Sequence, residues 1–233
     1  MLSWFKKKKE KFEVSLPKLP NCTAPFCALF VTDTHGHAAN PENGIEHFVS
    51  DLEKIDIVFT LGDIEHRDFS IMRNCKKIAL APVFGILGNH DYFSVLEDCQ
   101  IENLHGNTIE YNGVVFGGMY GSIKYKNVNA PMFTDEESEM TAELLPDCDI
   151  FLTHDKAKVQ AGNSYNAHGG MIGIGEYIKK RKPAYHFHGH LHENMVEKVF
   201  GVESVGFCRY AYVRFDKDGV TVLKKSGADF INL

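Results

Sequence analysis

The sequence predicts an α/β layered domain with parallel strand pairing near its centre. Two observations carry that prediction. Short apolar runs alternate with amphipathic stretches between Phe26 and His188, the pattern of strands joined by helices. From residue 195 onward the β-type runs follow one another without helices, which points to an added antiparallel portion. No linker composition divides the chain after residue 25. Residues 26–233 are therefore expected to form one domain behind a basic tail and Pro-rich lead-in over 1–25.

FCALFVT (26–32) has the continuous apolar character of a strand buried on both faces. In 44–54, Ile45, Phe48, Val49 and Leu52 recur at helical spacing. DIVFTL (56–61) reads as a second strand, 68–78 as a short helix and PVFGIL (82–87) as a third strand. Residues 107–118 read as a hairpin, because Asn112-Gly113 between two β-rich runs is a strong type I′ signal. A helix over 135–145, a strand over 149–153 and a helix over 170–182 ending at Pro183 follow. PAYHFH (183–188) is a strand, and 195–215 with 219–224 supply two to four antiparallel strands, one turning at Asp218-Gly219.

A chain of 233 residues can bury about 70% of its unfolded surface and needs no disulfides to fold. The six cysteines form no CxxC pair and read as reduced thiols of a cytoplasmic protein. No apolar run approaches the roughly 20 residues that span a bilayer. The first eleven residues carry five Lys against one Glu, a net +4, which leaves −10 on residues 12–233 out of the overall −6. An acidic body argues against a broad nucleic-acid-binding face. The basic segment reads as a solvated tail or as a weak membrane-surface contact, with Leu2, Trp4 and Phe5 at the interface and Lys6 to Lys9 on anionic lipid. Leu2 stands where N-myristoylation needs glycine.

Twelve histidines are unusual for this length, and their positions carry the chemistry. Five polar clusters follow directly on five of the expected strands: Asp33-Thr34-His35-Gly36, Gly62-Asp63, Gly88-Asn89-His90-Asp91, His154-Asp155 and Gly189-His190-Leu191-His192. Residues just past the carboxyl ends of strands in α/β sheets gather in one crevice. A set of Asp, His and Asn without Cys suits a borderline divalent metal such as Mn²⁺, Fe, Zn²⁺, Co²⁺ or Ni²⁺. Asp33 with His35, and His190 with His192, lie two apart, so on extended backbone each pair projects to one side.

In order, DxH, GD, GNHD, H and GHxH strongly resemble the calcineurin-like metallophosphoesterase superfamily, over about residues 26–215. The resemblance implies two β-sheets packed as a sandwich, flanked by helices in four layers, with a dinuclear metal centre at one edge. It implies that Asp33, His35, Asp63 and His192 hold one metal, and that Asp63, Asn89, His154 and His190 hold the other, Mn²⁺ being favoured. A metal-activated water would then attack a small phosphate-ester substrate. His90 matches the family's catalytic histidine, with Asp91 expected to orient its ring. Arg67, four residues after Asp63, matches a phosphate-binding arginine in the GDxxDR pattern of phosphoprotein phosphatases. Here the stretch is GDIEHR, with His66 in place of the Asp, which favours a phosphodiesterase over a protein phosphatase. Non-catalytic protein-binding scaffolds keep this fold but have lost the catalytic histidine, and DNA-processing nucleases share the same motifs. The intact His90 speaks against the first, the acidic body against the second.

Among the remaining histidines, His186 and His188 read as strand residues near the site, and His37 and His168 as pocket neighbours or loop residues. His47 and His105 read as surface residues. The longest loops available to shape a pocket are 121–134 and 162–170.

Overall fold

The computed structural model describes residues 17–160 and 166–227. The Lys-rich stretch, read as a solvated tail or a weak membrane-surface contact, therefore lies outside the described residues. In chain order the elements are β1 (Phe26–Val31), α1 (Ile45–Val49), β2 (Ile57–Thr60), α2 (His66–Asn74), β3 (Val83–Gly85), α3 (Val95–Asp98), β4 (Glu102–Asn103), β5 (Thr108–Tyr111) and β6 (Val114–Met119). There follow β7 (Ser122–Ile123), β8 (Met132–Phe133), α4 (Asp135–Leu144), β9 (Ile150–Thr153), α5 (Ile172–Arg181), β10 (Tyr185–His188), β11 (Met195–Val199), β12 (Val202–Gly206), β13 (Tyr210–Asp216) and β14 (Gly219–Lys225).

Two six-stranded sheets run in the orders β14-β13-β1-β2-β3-β4 and β11-β12-β10-β9-β6-β5, and β7 pairs with β8 alone. The central pairs β1/β2, β2/β3, β6/β9, β9/β10 and β10/β12 are parallel. The pairs β1/β13, β13/β14, β11/β12 and β5/β6 are antiparallel. This is the mixed architecture that the element pattern predicts.

Side-chain alternation assigns each strand residue to a layer. Phe26, Ala28 and Phe30 of β1 point between the sheets, onto Phe59, Phe116, Phe187 and Phe215. Leu29 and Val31 point the other way, onto Phe48, Phe69 and Leu96 of α1, α2 and α3. Phe151 of β9 faces outward onto Ala142 of α4 and Ile174 and Tyr177 of α5. The result is helices, sheet, sheet, helices: the four layers expected. Because both faces of the central strands are covered, they read as continuous apolar runs.

Three local outcomes differ from expectation. Helix α1 spans five residues, not eleven: the Ser50 hydroxyl donates to the His47 carbonyl at 2.8 Å and ends the helix, while Leu52 is still buried beyond it. The lead-in is not detached, since Leu19 is buried in the inter-sheet core and its N–H donates to Lys217 O. His105, expected at the surface, packs against Tyr120 with ring centroids 3.8 Å apart, and its Nδ1 accepts the Tyr120 N–H. The hairpin turn is as expected, with Asn112 (φ +48°) and Gly113 (φ +78°) both left-handed. No described helix is long and apolar enough to cross a membrane.

Candidate metal centre

The polar clusters follow the carboxyl ends of β1, β2, β9 and β10 and the segment after β3, as the strand–cluster spacing requires. The route by which the ligands converge differs from the extended one expected. Asp33, His35, Asp63, His190 and His192 all have positive φ, between 43° and 66°. Such backbone is uncommon for non-glycine residues and concentrates at functional sites. Left-handed residues turn the chain sharply enough to aim consecutive clusters inward. Gly189 permits the closest approach: a Cβ there would stand 2.0 Å from Thr32 Oγ1 and 2.6 Å from Asp33 Oδ2.

Among the described residues, two groups of metal-type donors form. Asp33, His35 and His192 make one; Asp63, His154 and His190 make the other, with the donor atoms of each group within 4.8 Å of one another. Asp63 joins them. Its Oδ2 lies 3.5 Å from His154 Nε2 and 3.8 Å from His35 Nε2, while Oδ1 accepts the His90 N–H at 2.8 Å. The His35 and His192 rings stack 5.1 Å apart, and Asn89 Oδ1 sits 3.0 Å from His154 Nε2. All seven predicted ligands thus lie together.

Their outer partners fix which atoms face inward. Asp33 Oδ2 accepts from Thr32 Oγ1 at 2.6 Å and from the His190 N–H at 2.9 Å, whereas its buried Oδ1 has no hydrogen-bond partner. His154 Nδ1 donates to the Leu61 carbonyl at 2.8 Å, leaving Nε2 inward. His190 Nε2 donates to the Ala167 carbonyl at 2.6 Å, leaving Nδ1. Imidazoles anchored to backbone carbonyls are the usual outer-sphere arrangement of metal-binding histidines. An orphaned buried carboxylate oxygen costs free energy unless a cation or donor meets it. The residues therefore fit divalent metal ions.

Without a cation, the buried charges at the site pair with one another. Burial opposes charge on His154, but the Asp63 carboxylate beside it prevails and raises its pKa to about 10. Burial likewise opposes charge on Asp63, yet the same contact holds it ionised. Burial lowers His190 to about 3, so its imidazole is neutral and available as a donor. Burial is also the chief cause that lowers His35.

His90 is exposed at the rim, edge-on to His35 with centroids 5.4 Å apart. Asp91 does not orient it. The Asp91 carboxylate accepts backbone N–H groups from Gly88 (2.7 Å), Asp63 (2.8 Å) and Ile64 (3.0 Å), so it ties two ligand loops together instead. Arg67 reaches the other rim, where Nη2 donates to the Gly36 carbonyl beside His35 and Nε pairs with Glu65 at 3.4 Å. His66 is exposed at the start of α2, and His37 and His47 are exposed as well. His168 meets His190 edge-on at 4.9 Å. His186 and His188 are fully buried strand residues.

Two residues escaped the sequence reading. Buried Asp68 braces the DTHG loop by accepting from Thr34 Oγ1 and the Gly36 N–H (2.5 and 2.8 Å). Tyr125 Oη accepts from Asn89 Nδ2 at 3.2 Å. Neither carries a local motif that marks it.

Residues 28–213 match the model of the calcineurin-like phosphoesterase superfamily domain, and the chain belongs to that superfamily. The fold is similar to that of TT1561 from Thermus thermophilus (TM-score 0.62, 14% identity, covering 88% of this chain and 100% of that one). It is also similar to the phosphopantetheinyl hydrolase PptH from Mycobacterium tuberculosis (TM-score 0.54, 10% identity, covering 80% and 91%). A third similar structure is the calcineurin-like phosphoesterase YfkN from Bacillus subtilis (TM-score 0.50, 14% identity, covering 86% and 88%). At these identities the likeness is one of fold. No curated protein matches this chain in sequence.

Proposed function

We propose that this chain is a dinuclear-metal-dependent phosphoesterase that hydrolyses small phosphate esters, diesters in preference to monoesters. The observation that carries the reading is the position of Asp63 Oδ2 between His35 and His154, one from each donor group. A carboxylate shared between two dications relieves their mutual repulsion. Asp33, His35, Asp63 and His192 would hold one ion and Asp63, Asn89, His154 and His190 the other, Mn²⁺ being the favoured metal. Bound there, the ions would supply Lewis-acid polarisation of the phosphate and an activated water as nucleophile.

The chain's own groups supply the rest. Exposed His90 would touch the scissile phosphate and give a proton to the leaving oxygen, general-acid work of the kind imidazoles do. Arg67 would contact the phosphate from the Gly36 side. Preference for diesters rests on His66, which stands in place of the aspartate of phosphoprotein phosphatases. The 121–134 loop would shape the pocket, whereas 162–165 of the second expected loop lie outside the described residues. Cysteines without a CxxC pair support a cytoplasmic setting.

Aryl phosphomonoesters and diesters assayed with Mn²⁺, Zn²⁺, Fe²⁺, Co²⁺ and Ni²⁺ test the reading. Metal-dependent release of the aryl alcohol, faster from diesters, is the expected result. Absence of turnover with every metal would overturn it.

A further inference from the structure

We infer that Tyr125 is the positioning residue that fixes which end of the Asn89 amide faces the second metal. The inference rests on the assignment of Asn89 as a ligand to that ion. An asparagine is a two-ended ligand: its carbonyl oxygen attracts a cation, and its NH₂ repels one. Something must therefore hold the amide one way round.

In the structure two partners do so. Asn89 Oδ1 accepts from His154 Nε2 at 3.0 Å, and Asn89 Nδ2 donates to Tyr125 Oη at 3.2 Å. The first partner cannot persist once His154 uses Nε2 as a metal donor, because its lone pair then points to the ion. Among the described residues, Tyr125 is then the one hydrogen-bond partner left to the amide, and it takes the NH₂ end. In the structure its phenol oxygen accepts from the NH₂ end, which leaves Oδ1 toward His154 of the Asp63–His154–His190 group.

The fold presents Tyr125 at this point deliberately rather than from a free loop. The Gly121 N–H donates to Leu87 O at 2.8 Å, docking the segment onto the strand end that leads to Asn89. The Ile123 N–H donates to Asp155 Oδ2 at 3.1 Å, docking it beside His154. The β7/β8 pair and the Lys124 N–H to Phe133 O bond at 2.7 Å close its neck. Tyr125 thus sits on backbone fastened to two different ligand loops. Outer-sphere partners of this kind typically contribute about 10- to 100-fold in metal affinity.

Calorimetric titration of the metal-free full chain with Mn²⁺ tests the inference, with His192→Ala and Asn89→Ala identifying which binding event belongs to which group. Tyr125→Phe, which keeps the ring and removes one oxygen, is expected to weaken the Asn89 event by about 10-fold or more. It should leave the His192 event and the metal-free melting temperature unchanged. In an Asn89→Asp background both ends of the ligand are oxygens, so adding Tyr125→Phe should then change Mn²⁺ affinity little. Wild-type affinity in Tyr125→Phe, or an equal loss in both backgrounds, would overturn the inference. Failure of the wild-type chain to bind two Mn²⁺, or an Asn89→Ala titration identical to wild type, would instead overturn the functional assignment beneath it.

Discussion

Asp91 Oδ2 accepts the backbone N–H of Asp63 at 2.8 Å across 28 residues of sequence. The same oxygen takes the Gly88 N–H, and Oδ1 takes that of Ile64. One carboxylate thereby sets the loop that carries the shared ligand against the loop that carries Asn89 and His90. Burial, reinforced by the charge of Asp63, pushes its pKa up to about 7.

Asp91→Ala leaves these three buried N–H groups without acceptors, at about 1–3 kcal/mol each. Urea denaturation of the metal-free chain should show a loss of about 3 kcal/mol or more, together with weakened Mn²⁺ binding. A loss under about 1 kcal/mol with intact metal content would mean that the clip is not needed to hold the loops.

Asp63→Asn replaces the shared anion with a neutral amide. Both metals should bind more weakly, and turnover should fall to background, measured by metal content after dialysis and by diester hydrolysis. Full occupancy of both sites in this variant would contradict the sharing.

His90→Ala should separate chemistry from metal binding. Among the described residues, neither metal-type donor group includes His90. Metal content is expected to stay at the wild-type level while kcat falls by about 10²-fold or more. Loss of metal instead would make His90 a ligand.

His105 gives a pH signature away from the metals. Burial lowers its pKa from 6.5 to about 4. Between those values the unfolded chain binds the proton and the folded chain does not, so the stability that neutral His105 contributes is present above pH 6.5 and is lost as pH falls toward 4. Asp91 and Asp155, raised to about 7 and about 6 chiefly by burial, run in the opposite sense: their contribution is full below pH 3.8 and is lost as pH rises through those values. The difference between wild type and His105→Phe isolates the histidine. Urea unfolding at pH 7 and pH 4.5 should show wild type losing stability relative to the variant as pH falls. A pH-independent difference would show that His105 is not held neutral.

Much of the site was legible because the chemistry sits where strands stop. Phe26–Val31, Ile57–Thr60, Ile150–Thr153 and Tyr185–His188 are apolar enough to read as buried strands, and the Asp, His and Asn residues come immediately after them. Strand ends in a parallel arrangement share one edge, so order along the chain was enough to gather the five polar clusters, and the family resemblance picked the seven candidate ligands among them. The sandwich itself followed from the family resemblance, and the alternation of Phe30 and Leu29 between two cores agrees with it.

Partnerships across long sequence distances were not legible. Adjacency made Asp91 look like a partner for His90, yet its acceptors were claimed by backbone amides of another loop, because an isolated carboxylate buried there must collect N–H donors wherever the packing presents them. Tyr125 lies 36 residues from Asn89 in an unremarkable loop, and only the docking of that loop between Leu87 and Asp155 brings the two together. The left-handed turns at Asp33, His35 and Asp63 were equally hidden, since non-glycine residues adopt them only when surrounding contacts outweigh the strain. The amino-acid sequence by itself determined which residues reach the site, because local hydrophobic pattern sets where each strand ends. Tertiary structure decided which atom each residue presents and what holds it there, because hydrogen-bond partners are set by packing in space and not by neighbours along the chain.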